Sequence, residues 1–208
     1  VSWVDYNRSC VPLIEIVGEP DLRSPEEAIA YWRAVKEILE FAGVSDCNME
    51  EGSFRCDANI SLMPEGASEY GTRAELKNMN SFRFVQQALE FEIKRQTQIL
   101  DAGGTVDQET RLFDVDSGTT RAMRSKEEAS DYRYFPEPDL VPVDIDDAWI
   151  AEIRASLPEL PQARRRRLID ELGVPEQTVV VLTGTRELAD FFEAVADGCG
   201  DAVLAANW

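Results

Sequence analysis

Two stretches of the sequence carry charged or amide side chains at every second position. Arg55, Asp57 and Asn59 alternate with apolar residues in the first stretch, and Glu75 and Lys77 flank a leucine in the second. Because successive side chains of a strand point to opposite faces, each set lies on one face of its strand. Carboxylates there can hold Mg²⁺ while Arg and Lys bind phosphate oxygens, as phosphoryl transfer requires. A solvated sheet face with charges paired across strands is the alternative, and the pattern alone favours it.

Three further acidic residues are candidate metal ligands. Glu50 and Glu51 precede Gly52 at the entry to the first stretch and could add oxygen ligands. Glu15 lies in the apolar segment LIEIV, where an ionised carboxylate is costly to bury unless it is paired or bound to a metal. A strand with one solvent-facing side explains Glu15 equally well, so both interpretations stay open.

The composition excludes several other chemistries. Histidine is absent from the 208 residues, so Ser-His and Cys-His nucleophile pairs cannot form. The four cysteines include no CxxC pair, which argues against a zinc site and favours reduced thiols. Neither a GxxxxGK(S/T) loop nor a GxGxxG fingerprint occurs, so neither common nucleotide-binding loop is supported.

The charge balance restricts the partners. Lys and Arg number 21 against 40 Asp and Glu, a net charge of −19, so DNA is not an expected partner and any RNA contact needs a local basic patch. The four arginines at positions 164–167 are the one dense basic run. They either contact an RNA backbone or form a solvated helix face with the ion pairs Arg166–Asp170 and Arg167–Glu171. No apolar run approaches the roughly 20 residues that span a bilayer, so a membrane is not expected either.

The first half of the chain alternates strand and helix signals. The apolar residues 11–17 predict a strand. Ser24 and the following Pro predict the start of a helix, which Gly43 ends. The alternating stretches 53–62 and 72–79 predict an antiparallel pair with one apolar face.

A second helix is predicted at residues 81–100, with an apolar stripe over the sheet, and 105–124 predict a second hairpin. Beyond Ile145 the periodicity is entirely helical, with starts at Asp146, Pro161, Pro175 and Thr185. The sequence therefore predicts an α+β domain at 1–145 and a helical domain at 146–208. In the helix predicted at residues 81–100, the apolar stripe that faces the sheet consists of Phe82, Val85, Leu89 and Ile93.

Four long motifs, together with the segments LPELP and ADFFE, resemble one known family over nearly all 208 residues. This family is the B subunit of the bacterial and organellar aspartyl/glutamyl-tRNA amidotransferase. The motifs are DYNRSCVPLIEIVGEPDLRSPEEA, NMEEGSFRCDANIS, ELKNMNSFRFV and MRSKEEASDYRYFPEPDL.

The resemblance implies a ligase that forms a carbon–nitrogen bond with glutamine as amido donor. With ATP and Mg²⁺, such a protein phosphorylates the side-chain carboxylate of Glu-tRNA(Gln) or Asp-tRNA(Asn), and ammonia from the amidase (glutaminase) partner, the A subunit, displaces the phosphate. A small C subunit completes the complex. The implied fold is a cradle related to glutamine synthetase and guanidino kinases, a curved antiparallel sheet backed by helices. A bacterial cytoplasmic location is expected, with mitochondria and plastids left open.

The resemblance also assigns site residues, with individual roles inferred from their chemistry. Family members begin earlier, with a strand carrying a Glu and a His, and end with a tail domain, so this chain is expected to be a fragment. A non-catalytic tRNA-binding or scaffold role in the same complex is the alternative function. Cys10 stands where the family commonly has Gly, which changes packing only. The expected metal ligands are Glu15, Glu51, Asp57 and Glu75; the catalytic residues are Arg8, Arg55, Asp57 and Lys77; and the cofactor-binding residues are Asn7, Asn59 and Asn78, with Glu50 also in the motif.

Overall fold

A four-stranded mixed sheet forms the centre of the first part of the chain. The structure, a computed structural model, describes Trp3, residues 11–123 and residues 140–208. The α+β class is confirmed. In spatial order the strands are β1 (Cys56–Ile60), β2 (Ala74–Met79), β3 (Thr110–Asp114) and β4 (Thr119–Ala122).

Both predicted hairpins are present, but the sheet is not purely antiparallel. β1 pairs antiparallel with β2, and β3 with β4, as the alternating patterns predict. β2 and β3 run parallel, so the prediction of an antiparallel sheet is wrong for the central pairing. The reason is the crossover between them: the helix α2 (Phe82–Asp101) returns the chain to the end of the sheet from which β2 started.

The helix starts predicted from capping residues and prolines are confirmed, and one further helix begins after Asp201, where no start is predicted. Ser24 accepts a hydrogen bond from the Glu27 backbone N–H at 3.1 Å, and Asp146 accepts one from Trp149 N–H at 2.7 Å. None of the helices described is long and apolar enough to cross a bilayer. The others are α1 (Pro25–Phe41), α3 (Asp147–Ser156), α4 (Pro161–Asp170), α5 (Glu176–Leu182), α6 (Arg186–Cys199) and α7 (Ala202–Asn207).

All four strands precede residue 123, and α3 to α7 follow residue 146. The boundary at 145/146 itself stays a prediction. The two parts touch through α1: the Arg165 guanidinium donates to the Glu37 carboxylate, and Arg186 donates to the Phe41 carbonyl at 3.3 Å.

The apolar face of the sheet packs against α1 and α2. Val85 and Leu89 are buried, as predicted, and Trp32 of α1 stacks on Phe54 with ring centroids 5.2 Å apart. This burial is the main stabilising term of the first part of the chain. The core consists of Ile29, Trp32, Leu76, Met79, Val85, Ala88, Leu89 and Phe113.

The second half of α2 buries polar side chains instead of the predicted Ile93. Glu92 is fully buried, and its carboxylate accepts hydrogen bonds from Arg95 at 2.6 Å and from Thr120 of β4 at 3.1 Å. Arg111 of β3 lies 3.4 Å from the same carboxylate. A buried carboxylate is tolerated only when it is paired in this way. Glu92 therefore ties α2 to the β3–β4 hairpin.

The predicted strand at residues 11–17 is not formed. The segment is extended, but none of the described strands pairs with it. Its apolar side chains are exposed, with 76% of Leu13 and 81% of Val17 accessible. An apolar run has strand propensity, but a strand exists only where a neighbour supplies hydrogen bonds and covers its face.

The arginine run is mostly used inside the helical part. Arg164 is buried and pairs with Asp190 at 2.7 Å, and Arg167 pairs with Glu159 at 2.6 Å. The predicted i,i+4 pairs Arg166–Asp170 and Arg167–Glu171 are wrong: neither is among the described ion pairs, and Arg164 and Arg167 pair with other elements. Tertiary partners on α6 and in the loop before α4 hold these guanidinium groups more firmly than an exposed helix neighbour would.

A β-bulge distorts the β1–β2 pairing near the start of β1. Cys56 pairs with Met79 but Ala58 pairs with Leu76, so Lys77 and Asn78 together oppose a single residue of β1. Asn78 has a φ of +70° there, and its side-chain amide donates to the Phe113 carbonyl at 3.0 Å. The bulge thus connects β1, β2 and β3 at one point.

Removing the buried carboxylate should destabilise the protein strongly. Glu92→Ala leaves Arg95 without its main partner and removes the carboxylate that lies 3.4 Å from Arg111, and we expect it to lower the free energy of unfolding by about 3–5 kcal/mol. Glu90→Ala on the same helix removes only a hydrogen bond with Gln86 and should cost about 1 kcal/mol. Denaturant unfolding of the full-length protein measures both values, and equal costs would show that the Glu92 network is not important.

The same carboxylate should make stability depend on pH. Burial opposes ionisation, but hydrogen bonds from Arg95, Gln96 and Thr120 outweigh it and lower the pKa of Glu92. Because the folded-state pKa is the lower one, the stabilisation is complete above about pH 4.3 and is lost as the pH falls through the folded-state pKa. The stability difference between wild type and Glu92→Gln should therefore shrink as unfolding is measured from about pH 7 down to about pH 3. A constant difference would contradict this assignment.

Because of the positive φ in the bulge, we expect a glycine variant at position 78 to be more stable than an alanine variant. Asn78→Ala and Asn78→Gly both lose the bond to Phe113, but only glycine adopts positive φ without strain. The alanine variant should therefore be less stable than the glycine variant by about 1 kcal/mol. Thermal unfolding of the two variants tests this, and an alanine variant as stable as the glycine variant would rule out the strained backbone.

Candidate functional site

The face of the sheet opposite the helices carries a compact charged cluster. The Lys77 ammonium lies 3.3 Å from a carboxylate oxygen of Asp57 and 3.3 Å from one of Glu75. Asn59 pairs with Glu75 across the two strands, so it shares this face. The alternating pattern thus brings together four of the predicted site residues. We call Asp57, Glu75 and Lys77 the charged cluster.

The charged cluster is partly open to solvent, and its charges stabilise one another. Half of the Asp57 side chain and a third of that of Glu75 are accessible. Partial burial opposes the charged ammonium, but hydrogen bonding and attraction from Asp57, followed by attraction from Glu75, raise the pKa of Lys77 above its ordinary value. Lys77 is therefore a fixed cation that ligands can reach.

One contact of the cluster is missing from the sequence prediction. Thr110 lies opposite Glu75 in the parallel β2–β3 pairing, and its hydroxyl donates to Oε2 of Glu75 at 2.7 Å. Glu75 is thus held through both oxygens, because Lys77 contacts Oε1. Only the parallel pairing makes Thr110 a neighbour of Glu75, and periodicity gives no signal for that pairing.

An open cleft of about 280 Å³ adjoins the charged cluster at the end of β1. The Asn48 side chain shapes its rim by accepting hydrogen bonds from the backbone of Glu50 at 3.1 Å and of Glu51 at 3.4 Å. These bonds belong to the turn that precedes β1. The cleft thus gathers the site residues of two predicted motifs: Glu50, Glu51, Arg55, Asp57 and Asn78.

The thiol in the wall of the cleft is not suited to nucleophilic chemistry. Burial, with a smaller contribution from the charge of Asp57, raises the pKa of Cys56 to about 12. A thiol with this pKa is protonated at neutral pH and is a poor nucleophile. Cys47, Cys56 and Cys199 form no disulfide among the described residues, in agreement with the prediction of reduced thiols.

The remaining predicted site residues are Glu15, Asn7 and Arg8. Glu15 is exposed in the extended segment and is not buried among apolar side chains, and its role as a metal ligand stays a prediction. Asn7, Arg8 and Cys10 lie outside the described residues, as does the YRYFPEPD motif. Among the residues that the structure describes, no three acidic or thiol groups converge as a ready metal site.

The oxygen ligands of the charged cluster nevertheless fit Mg²⁺. This ion commonly binds one or two carboxylates and keeps waters or phosphate oxygens as its other ligands. Asp57 and Glu75 provide two partly exposed carboxylates on one face of the sheet, each contacting Lys77 through a single oxygen. These two residues would hold the ion, and it would supply neutralisation of phosphate charge.

The comparisons with known proteins agree with the motifs. Residues 1–151 match the model of the GatB/GatE catalytic domain. Three relatives are named as the B subunit of aspartyl/glutamyl-tRNA(Asn/Gln) amidotransferase: they come from Syntrophotalea carbinolica at 58% identity, Bacillus licheniformis at 59% and Geobacillus kaustophilus at 60%.

Each alignment covers 207 residues, which is 100% of this chain but only 43–44% of the relative. The chain thus spans less than half the length of these curated relatives. Identity at this level over the entire chain, together with the match of the catalytic-domain model, shows that the chain belongs to the family of amidotransferase B subunits.

Proposed function

We propose that this chain contributes the ATP- and Mg²⁺-dependent step of a tRNA-dependent amidotransferase, a ligase with glutamine as amido donor. The step is phosphorylation of the side-chain carboxylate of Glu-tRNA(Gln), Asp-tRNA(Asn) or both. The observation that carries the proposal is the charged cluster, in which one lysine is held between two carboxylates on an open sheet face beside a cleft. The names of the relatives support the reaction class.

The proposed chemistry explains why such a cluster is needed. Ammonia cannot displace oxygen directly from a carboxylate, because the leaving group is too poor. Conversion to an acyl phosphate supplies a good leaving group, and the anionic transition state requires cationic partners. Lys77 and the exposed Arg55 are suited to contact phosphate oxygens, while Asp57 and Glu75 would hold Mg²⁺.

The proposed partners follow from the same family. Ammonia is released from glutamine by the amidase partner, a small third protein completes the complex, and the misacylated tRNA is the substrate. We infer a cradle like that of glutamine synthetase and guanidino kinases, supported by the open face of a sheet backed by two helices. The relatives named above are bacterial, which favours the bacterial cytoplasm as the location.

A scaffold or tRNA-binding role in the same complex is the second candidate. The net charge of −19 and the internal use of Arg164, Arg165 and Arg167 disfavour broad RNA affinity in this part of the protein. A scaffold would support complex assembly without any need for the charged cluster. Substitution within the cluster therefore separates the two functions.

Asp57→Asn should abolish the kinase step while the protein stays folded. The amide keeps the shape of the side chain but removes a metal ligand and a partner of Lys77, so we expect about a 100-fold loss of turnover or more. The measurement uses the reconstituted full-length complex with Glu-tRNA(Gln), ATP, Mg²⁺ and ammonium chloride, and follows ADP and Gln-tRNA(Gln). Ammonium chloride bypasses the glutaminase, so only the step assigned to this chain is tested.

Asp116→Asn is the matched control, because Asp116 is exposed in the β3–β4 turn of the same sheet, away from the cluster. It should retain wild-type turnover. Full activity in Asp57→Asn would rule out the assigned role of this carboxylate, and an inactive wild-type complex that still assembles and binds tRNA would favour the scaffold function.

A further inference from the structure

Thr110 holds Glu75 in the charged cluster from the neighbouring strand. Its hydroxyl lies 2.7 Å from Oε2 of Glu75, while Lys77 lies 3.3 Å from Oε1. The carboxylate is therefore fixed from two directions, one on its own strand and one on β3. A glutamate side chain has three rotatable bonds, so without the second contact it can swing away from Asp57.

We propose that Thr110 is a positioning residue, which orients Glu75 so that it and Asp57 can bind one divalent cation. The inference rests on the proposed function, because it gives Glu75 the role of a metal ligand. Thr110 does not bind the cation itself; it acts through the hydrogen bond to Glu75. Groups that hold ligating carboxylates in this way commonly change metal affinity by roughly 10- to 100-fold when removed.

The fold makes Thr110 a firm support. The residue next to it, Arg111, is buried on the other side of β3 and donates to the Thr120 hydroxyl and carbonyl, each at 2.8 Å. Arg111 also contacts the buried Glu92 of α2. β3 is therefore anchored from the helix side, and the position of the Thr110 hydroxyl is fixed relative to β2.

The competing explanation is an ordinary cross-strand contact. Hydrogen-bonded pairs between strands contribute about 0.2–1 kcal/mol to stability whether or not a ligand binds. Such a contact would alter unfolding only. A positioning role would alter cation affinity, and it would do so only while Glu75 is present. These two consequences can be measured separately.

The experiment compares Thr110→Val, Thr110→Ser and Glu75→Gln in the reconstituted full-length complex. Valine keeps the β-branched shape but lacks the hydroxyl, whereas serine keeps the hydroxyl. Mn²⁺ serves as the probe, and its binding is measured by electron paramagnetic resonance without ATP or tRNA. Sites that Glu75→Gln does not weaken are attributed to other parts of the complex.

Thr119→Val is the matched control. Thr119 lies on β4 of the same sheet, and its hydroxyl bonds to that of Ser117 at 2.8 Å, away from the charged cluster. It should leave Mn²⁺ affinity unchanged. We expect Thr110→Val to weaken the site that depends on Glu75 by about tenfold, Thr110→Ser to restore it, and Thr110→Val to have no further effect in the Glu75→Gln background.

In turnover assays the same valine variant should need about tenfold more Mg²⁺ for half-maximal rate, with little change in the rate at saturating Mg²⁺. Unchanged Mn²⁺ affinity in Thr110→Val would overturn the proposal, as would the absence of any Mn²⁺ site that depends on Glu75. ATP-dependent amidation by the wild-type complex reports on the proposed function separately, so an inactive complex with an intact Mn²⁺ response would reject the function and keep the positioning role.

Discussion

The buried carboxylate of Glu92 is the interaction on which the arrangement of the sheet depends. It lies on α2, the helix that makes β2 and β3 parallel, and it bonds to Thr120 while contacting Arg111 on the strand after that helix. The ladders to β2 and β4 set the register of β3, whereas an apolar contact with α2 would add little orientation, since dispersion forces have little directionality. Charged hydrogen bonds have fixed geometry, so they fix the position of β3. Side chains of one strand alternate between the two faces, so the position of β3 also fixes its side chains on the open face.

This coupling explains why the charged cluster and its support extend over three strands. Asp57 comes from β1, Glu75 and Lys77 from β2, and Thr110 from β3. The β-bulge at Asn78 brings Lys77 opposite Asp57, and the amide of Asn78 secures the bulge to the Phe113 carbonyl of β3. Asn78 therefore supports the site through the backbone, and its Nδ2 group is already engaged. Contacts with neighbouring strands thus fix the positions of the residues in the charged cluster.

Local sequence patterns predicted the features that depend on residues close in sequence. They failed for the features that depend on residues distant in sequence. The alternation at 53–62 and 72–79 predicted the first hairpin and the face shared by Asp57, Glu75 and Lys77. Capping residues predicted the helix starts, and the motifs predicted the family. The parallel β2–β3 pairing, the burial of Glu92 and the contact of Thr110 depend on tertiary structure, which periodicity does not encode. The segment 11–17 shows the converse, because strand propensity without a pairing partner among the described strands leaves an exposed extended chain.

The negative net charge of the chain makes Lys77 important for binding an anionic ligand. With a net charge of −19, the protein repels phosphate at long range, so anion binding requires local cations. An ammonium group has three donor hydrogens, and Asp57 and Glu75 can engage two of them. The third remains for a phosphate oxygen while both carboxylates stay in place. Lys77 can therefore contact an anionic ligand without dismantling the cluster, and the exposed Arg55 in the adjoining cleft can add a second contact. An arrangement in which the lysine was fully enclosed by carboxylates would hold its charge equally well but could not bind phosphate.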